Sequence, residues 1–259
     1  MPKPEKIMVF DTETTGVDIE EARIVTAFIG VMDSAGQMIE RYSWIINPGI
    51  EIPTDASDVH GVTTERARAE GRTDIGKALF EIATKLDYAD RWNIPLVVMN
   101  APFDLSLMDR ELRRHCDYTR FRAPKVVLDP LVLDKHVDKY RRGKRQLTFL
   151  AANYNVPVEE NAHDAEADCR MCGRVALKLL AHPTLTNLPL ARIHALQIPA
   201  KAEQAAGLED YFRKKQVKDI ADEEVKKMRK IPIEKPVDRS EINIERDWPM
   251  IPFAEKSTQ

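Results

Sequence analysis

Long apolar runs are absent from this chain. No window of its 259 residues approaches the length of a membrane span. The opening Met1-Pro-Lys-Pro-Glu-Lys6 also lacks the apolar stretch of a secretory signal. Both absences point to a soluble, cytoplasmic protein. Cysteine is scarce: Cys116, Cys169 and Cys172 are the only three, too few for a disulfide framework. Cys169-x-x-Cys172 has no second ligand pair and falls inside a helical pattern, so it reads as packing rather than as a zinc or redox site. An excess of one charge sign is missing too. With 39 basic and 42 acidic residues the net charge is −3, which does not mark the whole chain as a nucleic-acid binder. No internal repeat of the length used by solenoids or propellers is present.

Apolar residues make up 43% of the chain, enough for a substantial core. Ile7–Phe10, Arg23–Asp33 and Glu40–Ile46 read as strands, the last two joined by a turn at Ser34-Ala-Gly36. Residues 47–53 read as loop. Ile75, Leu79, Ile82 and Leu86 recur at helical spacing across Asp74–Ala89. Pro95–Met99 and Lys125–Leu128 are short buried strands by their continuous apolar character. Helical patterns cover Phe103–His115, 131–140, 146–152 and a long stretch from His163 to about Leu180. Three strands followed by alternating helices and strands predict an α/β fold with a mixed sheet flanked by helices. After Ala181-His-Pro183 the character changes, and seven of the 16 prolines lie from Pro183 onward. This divides the chain into a domain over 1–182 and an extension over 183–259. The extension reads as one or two amphipathic helices over 201–230, then a Pro-containing extended tail that Trp248 and Phe253 could pin to the core.

The strand Ile7–Phe10 runs straight into Asp11-Thr-Glu13. Residues i and i+2 of a strand share a face, and two adjacent carboxylates repel unless a cation lies between them. Hard oxygen ligands suit Mg²⁺ or Mn²⁺. Alone, so short a pair reads more simply as a solvated turn. Two later segments change its weight. Leu96-Val-Val-Met-Asn-Ala-Pro-Phe-Asp104 is again an apolar strand ending in a loop with an acid. His163-Asp-Ala-Glu-Ala-Asp168 opens the long helix with a histidine and further acids. Asp11, Glu13, Asp104 and Asp168, with His163 beside them, form a chemically coherent set. Two divalent ions held by carboxylates can clamp the attacking and leaving oxygens of a phosphodiester, and a neutral histidine can take a proton from the attacking water.

Phe10-Asp-Thr-Glu-Thr-Thr-Gly16, Asn100-Ala-Pro-Phe-Asp104 and His163-Asp-Ala-Glu-Ala-Asp168 resemble the three exonuclease motifs of the DnaQ-like DEDDh family, in family order. Val59-His-Gly-Val-Thr63 resembles that family's additional segment. The likeness spans roughly residues 5–180 with no departure at the five catalytic positions. It implies an RNase H-like fold with a central five-stranded mixed sheet, and 3′–5′ removal of nucleoside 5′-monophosphates from single-stranded DNA with two Mg²⁺ or Mn²⁺ ions. By the same resemblance Asp11, Glu13 and Asp168 would hold the first metal. Asp11 would bridge to the second, with Asp104 reaching it directly or through water, and His163 would be the general base. The backbone at Thr12 and Glu13 would hold the 3′-terminal nucleotide, with His60, Asn100 and Phe103 as neighbours. Phe103 reads more simply as core packing.

Residues 139–145, Lys-Tyr-Arg-Arg-Gly-Lys-Arg, carry five basic groups in seven positions. Such a run is usually a solvated face, but beside an exonuclease site Arg142, Lys144 and Arg145 become candidates for guiding the strand backbone. The motifs serve either sugar, so an RNA 3′-exonuclease is an alternative. A third reading makes the chain a polymerase-associated subunit whose extension docks a replicative polymerase or clamp. Gln204-Ala-Ala-Gly-Leu-Glu-Asp-Tyr-Phe212 resembles a clamp-binding peptide only loosely, and a helix packed on its own domain explains it better.

Overall fold

The computed structural model describes residues 4–158, 165–228 and 242–254, without the side chains of 217–228. A five-stranded sheet lies at its centre. The strands are β1 (Lys6–Thr14), β2 (Ile24–Asp33), β3 (Met38–Ile45), β4 (Leu96–Val97) and β5 (Val127–Leu128), in the order β3-β2-β1-β4-β5. β1 pairs antiparallel with β2, and β2 with β3. β4 and β5 run parallel to β1. This is the mixed sheet the sequence predicts. The β2–β3 turn closes where expected: Asp33 accepts hydrogen bonds from the Ala35 and Gln37 N–H groups, and Gly36 takes φ = 81°.

Both faces of the sheet are covered, so central strands are apolar on both sides. Met8 and Phe10 join one core with the helices α3 (Ile75–Arg91) and α4 (Ala101–Cys116). Ile7 and Val9 join a second core with α5 (Pro130–Val137), α6 (Leu147–Asn153) and α7 (Ala165–Leu180). α7 presses closely on the sheet because Gly173 has no side chain. A Cβ there would run into Met32 and Val9.

Four elements depart from the sequence reading. β1 does not stop at Phe10: its ladder with β2 continues through Asp11↔Phe28 and Glu13↔Thr26. Backbone pairing is indifferent to side-chain polarity, so the ladder carries acids that an apolar pattern would exclude. Two short helices, α1 (Thr54–His60) and α2 (Thr64–Glu70), lie where no helix is predicted. The segment Val59–Thr63 is their junction. Gly61 ends α1 at φ = 72°, and Thr63 caps α2 by accepting from the Arg66 N–H. Finally, α8 (Leu190–Met228) is one 39-residue helix that includes Pro199. Proline removes a helical hydrogen bond, but Ile193 and Gln197 on the preceding turns are buried, and Ala205 is buried beyond it. Tertiary packing outweighs the local penalty.

The tail does return to the body. Trp248 is buried, its ring 4.9 Å from that of His194 on α8. The Phe253 ring lies over the guanidinium of Arg113 on α4 at 4.4 Å. Among the described residues no helix is long and apolar enough to cross a membrane.

Candidate active site

The alternation of β1 sorts the first motif between two layers. Asp11 and Glu13 share the face of Ile7 and Val9, which α7 covers. Asp168 lies in the first turn of that helix. One carboxylate oxygen from each of Asp11, Glu13 and Asp168 comes within 4.8 Å of the others. All three residues are partly exposed. Three anionic oxygens so close repel one another in the absence of a cation, and an all-oxygen donor set fits a hard divalent ion such as Mg²⁺ or Mn²⁺. The neighbouring thiols do not compete for it. Cys169 and Cys172 are buried, and burial first, then the Asp11 carboxylate, push both thiols well above their ordinary range. They are inert packing groups, as the sequence reading holds.

Thr12 faces the opposite layer, where it meets Asp104 of α4. Its N–H donates to Asp104 Oδ1 at 3.1 Å and its hydroxyl donates to the same oxygen at 2.6 Å. Asp104 is buried, and burial pushes its pKa up to about 7 against the pull of the Thr12 hydrogen bonds. It is not one of the three clustered oxygens, and it meets β1 at Thr12, next to Asp11. The sequence reading assigns Thr12 a substrate role through its backbone. In the structure both of its donors serve Asp104. The signal for this was parity: a residue between two same-face acids must point to the other layer.

His60 closes α1 beside Glu13. The two share the wall of a cavity of about 390 Å³ with Phe28, Trp44, Arg66 and Glu166. His60 Nδ1 accepts from the Val62 N–H at 3.2 Å, and burial lowers its pKa, favouring the neutral ring. Trp44 and Arg66, on β3 and α2, were not foreseen as neighbours of Glu13. Asn100 is exposed just before α4, and Phe103 packs half-buried against the core. His163 and Asp164 lie outside the described residues.

The basic run is divided in its use. Arg141 and Arg145 both bind the buried Asp134 carboxylate of α5, at 2.9 and 2.7 Å, and the Tyr154 hydroxyl donates to its other oxygen at 2.8 Å. Lys139 pairs with Glu203 of α8. Arg142 and Lys144 are exposed. Gln204, the first residue of the loosely clamp-like segment, donates to the Val132 carbonyl and so joins α8 to α5.

Comparison with known proteins agrees with this geometry. The exonuclease family model RNase_T matches residues 8–176, well over half of the chain. The DNA polymerase III subunit epsilon of Treponema pallidum is 30% identical over 179 residues, covering 69% of this chain and 78% of that protein. A longer relative, the 3′-5′ exonuclease DinG of Bacillus subtilis, is 27% identical over 71% of this chain, which spans 19% of that protein. Among solved structures, the nuclease domain of 3′hExo, a DEDDh family member bound to rAMP, superposes with a TM-score of 0.54 at 14% identity. That match covers 69% of this chain and 92% of that one, and it bears on the fold alone. Motif order, sheet topology and family match converge: the chain belongs to the RNase_T exonuclease family, in its DnaQ-like DEDDh branch.

Proposed function

We propose that this chain is a 3′–5′ exonuclease that hydrolyses single-stranded DNA from its 3′ end and releases nucleoside 5′-monophosphates. The observation that carries the reading is the convergence of Asp11, Glu13 and Asp168 from a strand and a facing helix onto one oxygen-lined position. Asp11, Glu13 and Asp168 would hold one divalent ion, and Asp11 with Asp104 a second. Bound there, the ions supply Lewis-acid polarisation of the phosphodiester and of the attacking water. The chain's own residues do the rest. His163, five positions before Asp168, takes the proton of the water as its oxygen forms the new bond to phosphorus. The P–O3′ bond breaks, and the departing O3′ takes a proton from solvent to become the 3′-hydroxyl of the shortened strand. The Glu13–His60 cavity receives the terminal nucleotide, with Asn100 and Phe103 at the α4 side. Arg142 and Lys144, exposed members of the basic run, track the phosphate backbone, and Arg145 supports them by fixing the loop to Asp134.

The catalytic unit would occupy residues 1–182, with 183–259 as an extension, in a cytoplasmic protein. The epsilon-subunit relative supports a replicative polymerase as partner, with the extension as the docking element. The test is incubation with Mg²⁺ and matched 5′-labelled single-stranded DNA and RNA. Single-nucleotide laddering of DNA, removed by EDTA, is expected. Laddering of RNA alone would transfer the reading to an RNA 3′-exonuclease. Degradation of neither by folded, metal-supplied protein would sink it.

A further inference from the structure

The last described segment, 242–254, lies along the helix that carries Asp104. A helix must satisfy its first N–H groups from outside itself. α4 does not do so with the residue before it. Asn100 sits in the left-handed region at φ = 57°, and its side chain makes no capping bond. Asp129, at the end of β5, supplies what is missing. Its Oδ1 accepts from the Asn100 N–H at 3.1 Å, and its Oδ2 from the Ala101 N–H at 3.0 Å. Oδ1 also accepts from the Leu131 N–H at 3.0 Å, capping α5. One buried carboxylate therefore fixes the starts of two helices. Among the described residues no ion pair reaches it, and the N–H groups of Asn100, Ala101 and Leu131, with the more distant Lys201 charge, oppose the cost of its burial.

Asp129 is held in turn by the extension. Its N–H donates to Gln197 Oε1 of α8 at 2.7 Å, and the Gln197 amide donates to the Val127 carbonyl. The Trp248 indole N–H points at Asp129 Oδ2 from 3.4 Å. Beyond Trp248 the segment follows α4. The Ile251 N–H donates to Ser106 Oγ at 2.7 Å, and the buried Arg110 donates to the Ile251 and Pro252 carbonyls at 3.0 and 3.1 Å. Ahead of Trp248, Glu209 of α8 accepts from the Ile244 N–H at 2.9 Å and pairs with Arg246. Asp104 thus lies between two fixed points of α4, the Asn100–Ala101 cap and the Ser106 contact. Both are secured by groups outside α4, and the second belongs to the C-terminal segment.

We propose that Asp129 is a positioning residue for Asp104, and that the 242–254 segment, through Trp248, locks it in place and so belongs to the exonuclease apparatus. This rests on the exonuclease reading above. Small displacements of a reacting group cost rate steeply, and groups that orient metal-binding carboxylates are typically worth about 10–100-fold.

The test uses the full chain. Asp129→Asn keeps the size and one acceptor, and Trp248→Phe keeps the ring against His194 without its N–H. Leu185→Ala, in the other core, serves as a destabilised control. Expected at saturating Mg²⁺ is a fall in kcat of about 10–100-fold for Asp129→Asn. Trp248→Phe should show a smaller fall, and KM should stay within about twofold in both, while Leu185→Ala keeps its kcat well below its melting temperature. Amide hydrogen exchange is the second measurement, and it needs no activity. In Asp129→Asn, exchange should accelerate over 101–106 and stay unchanged in α3. A kcat for Asp129→Asn no lower than that of the control, or unchanged exchange over 101–106, overturns the proposal. Absence of laddering by the wild type would defeat the exonuclease reading instead, and exchange alone would then decide whether Asp129 fixes the start of α4.

Discussion

Asp11, Glu13 and Asp168 each contribute one oxygen to the same small volume, so deleting any one charge leaves a divalent ion with too few anionic partners. Asp11→Asn and Asp168→Asn are expected to abolish laddering, and calorimetric titration with Mn²⁺ should show weakened binding. His163→Ala should lower kcat by about 10²–10⁴-fold with little change in strand binding; a near wild-type rate would remove His163 from the mechanism. Asp104 gives a different expectation. Its folded pKa of about 7 lies above the ordinary 3.8 because burial disfavours the charged form. The metal-free fold therefore loses stability as pH rises from about 4 to about 7, and loses no more above that. Asparagine has no charge to desolvate. Asp104→Asn should be inactive yet more stable in EDTA, with an advantage that opens across that window and closes below it. Urea melts at pH 4, 5.5 and 7.5 would show this, and a constant difference would refute it. The four acids were legible in the sequence because Asp11, Glu13 and Asp104 follow apolar strands and Asp168 stands with His163 at the opening of a long helix. The Thr12–Asp104 bond was not, because the two residues are 92 positions apart and only the sheet brings them together.

At the scale of elements, the α5–α6 connection is organised by one buried side chain. Asp134 binds Arg141, Arg145 and Tyr154, and the phenol is pushed upward by burial and by this carboxylate. Asp134→Ala would leave two half-buried guanidinium groups without their acceptor. Breaking a fully buried pair costs about 3–5 kcal/mol. Because both arginines keep some solvent, a loss of about 2 kcal/mol is expected by urea denaturation. Limited proteolysis should then cut within 138–146, and resistance equal to wild type would argue against this role. The long periodic helices and the β2–β3 turn were readable because their patterns are local. α1 and α2 were not. Each is seven residues long, too short to show a period, and α1 buries none of its residues. The continuation of β1 through its acids was hidden for the opposite reason: the partner strand, not the side chains, decides it.

Over the whole molecule, a net charge of −3 gives no general attraction for a polyanion, so strand binding must come from local groups. Arg142 and Lys144 are exposed members of the basic run for which no ion pair is seen among the described residues. In an inactive Asp168→Asn background, Arg142→Ala/Lys144→Ala should weaken binding of single-stranded DNA. It should also reduce the slope of log K against log salt by about 1.4, two phosphate contacts at about 0.7 each. An unchanged slope would move the strand path elsewhere. The division at residue 182 is sharp in composition but not in packing. Leu185 and Ile193 belong to one core, and Ala200 and Trp248 to the other. Composition shows where a chain changes character. Trp248 and Phe253 were legible as aromatics that could pin the tail, but the sequence did not show that they meet His194 of α8 and Arg113 of α4.

The pairing of Asp11 with Phe28 and of Glu13 with Thr26 has one more consequence. Strand side chains alternate, so a slip of one residue between β1 and β2 would exchange the layers. Thr12 alone would then face Asp168, and two carboxylates would enter the layer that holds the buried Asp104. The polypeptide would trade the hydrogen bonds of this ladder for others yet lose its three-carboxylate cluster and bury three acids together. Strand alignment in this protein is therefore a chemical choice as much as a mechanical one, and a misaligned sheet would be both inert and unstable.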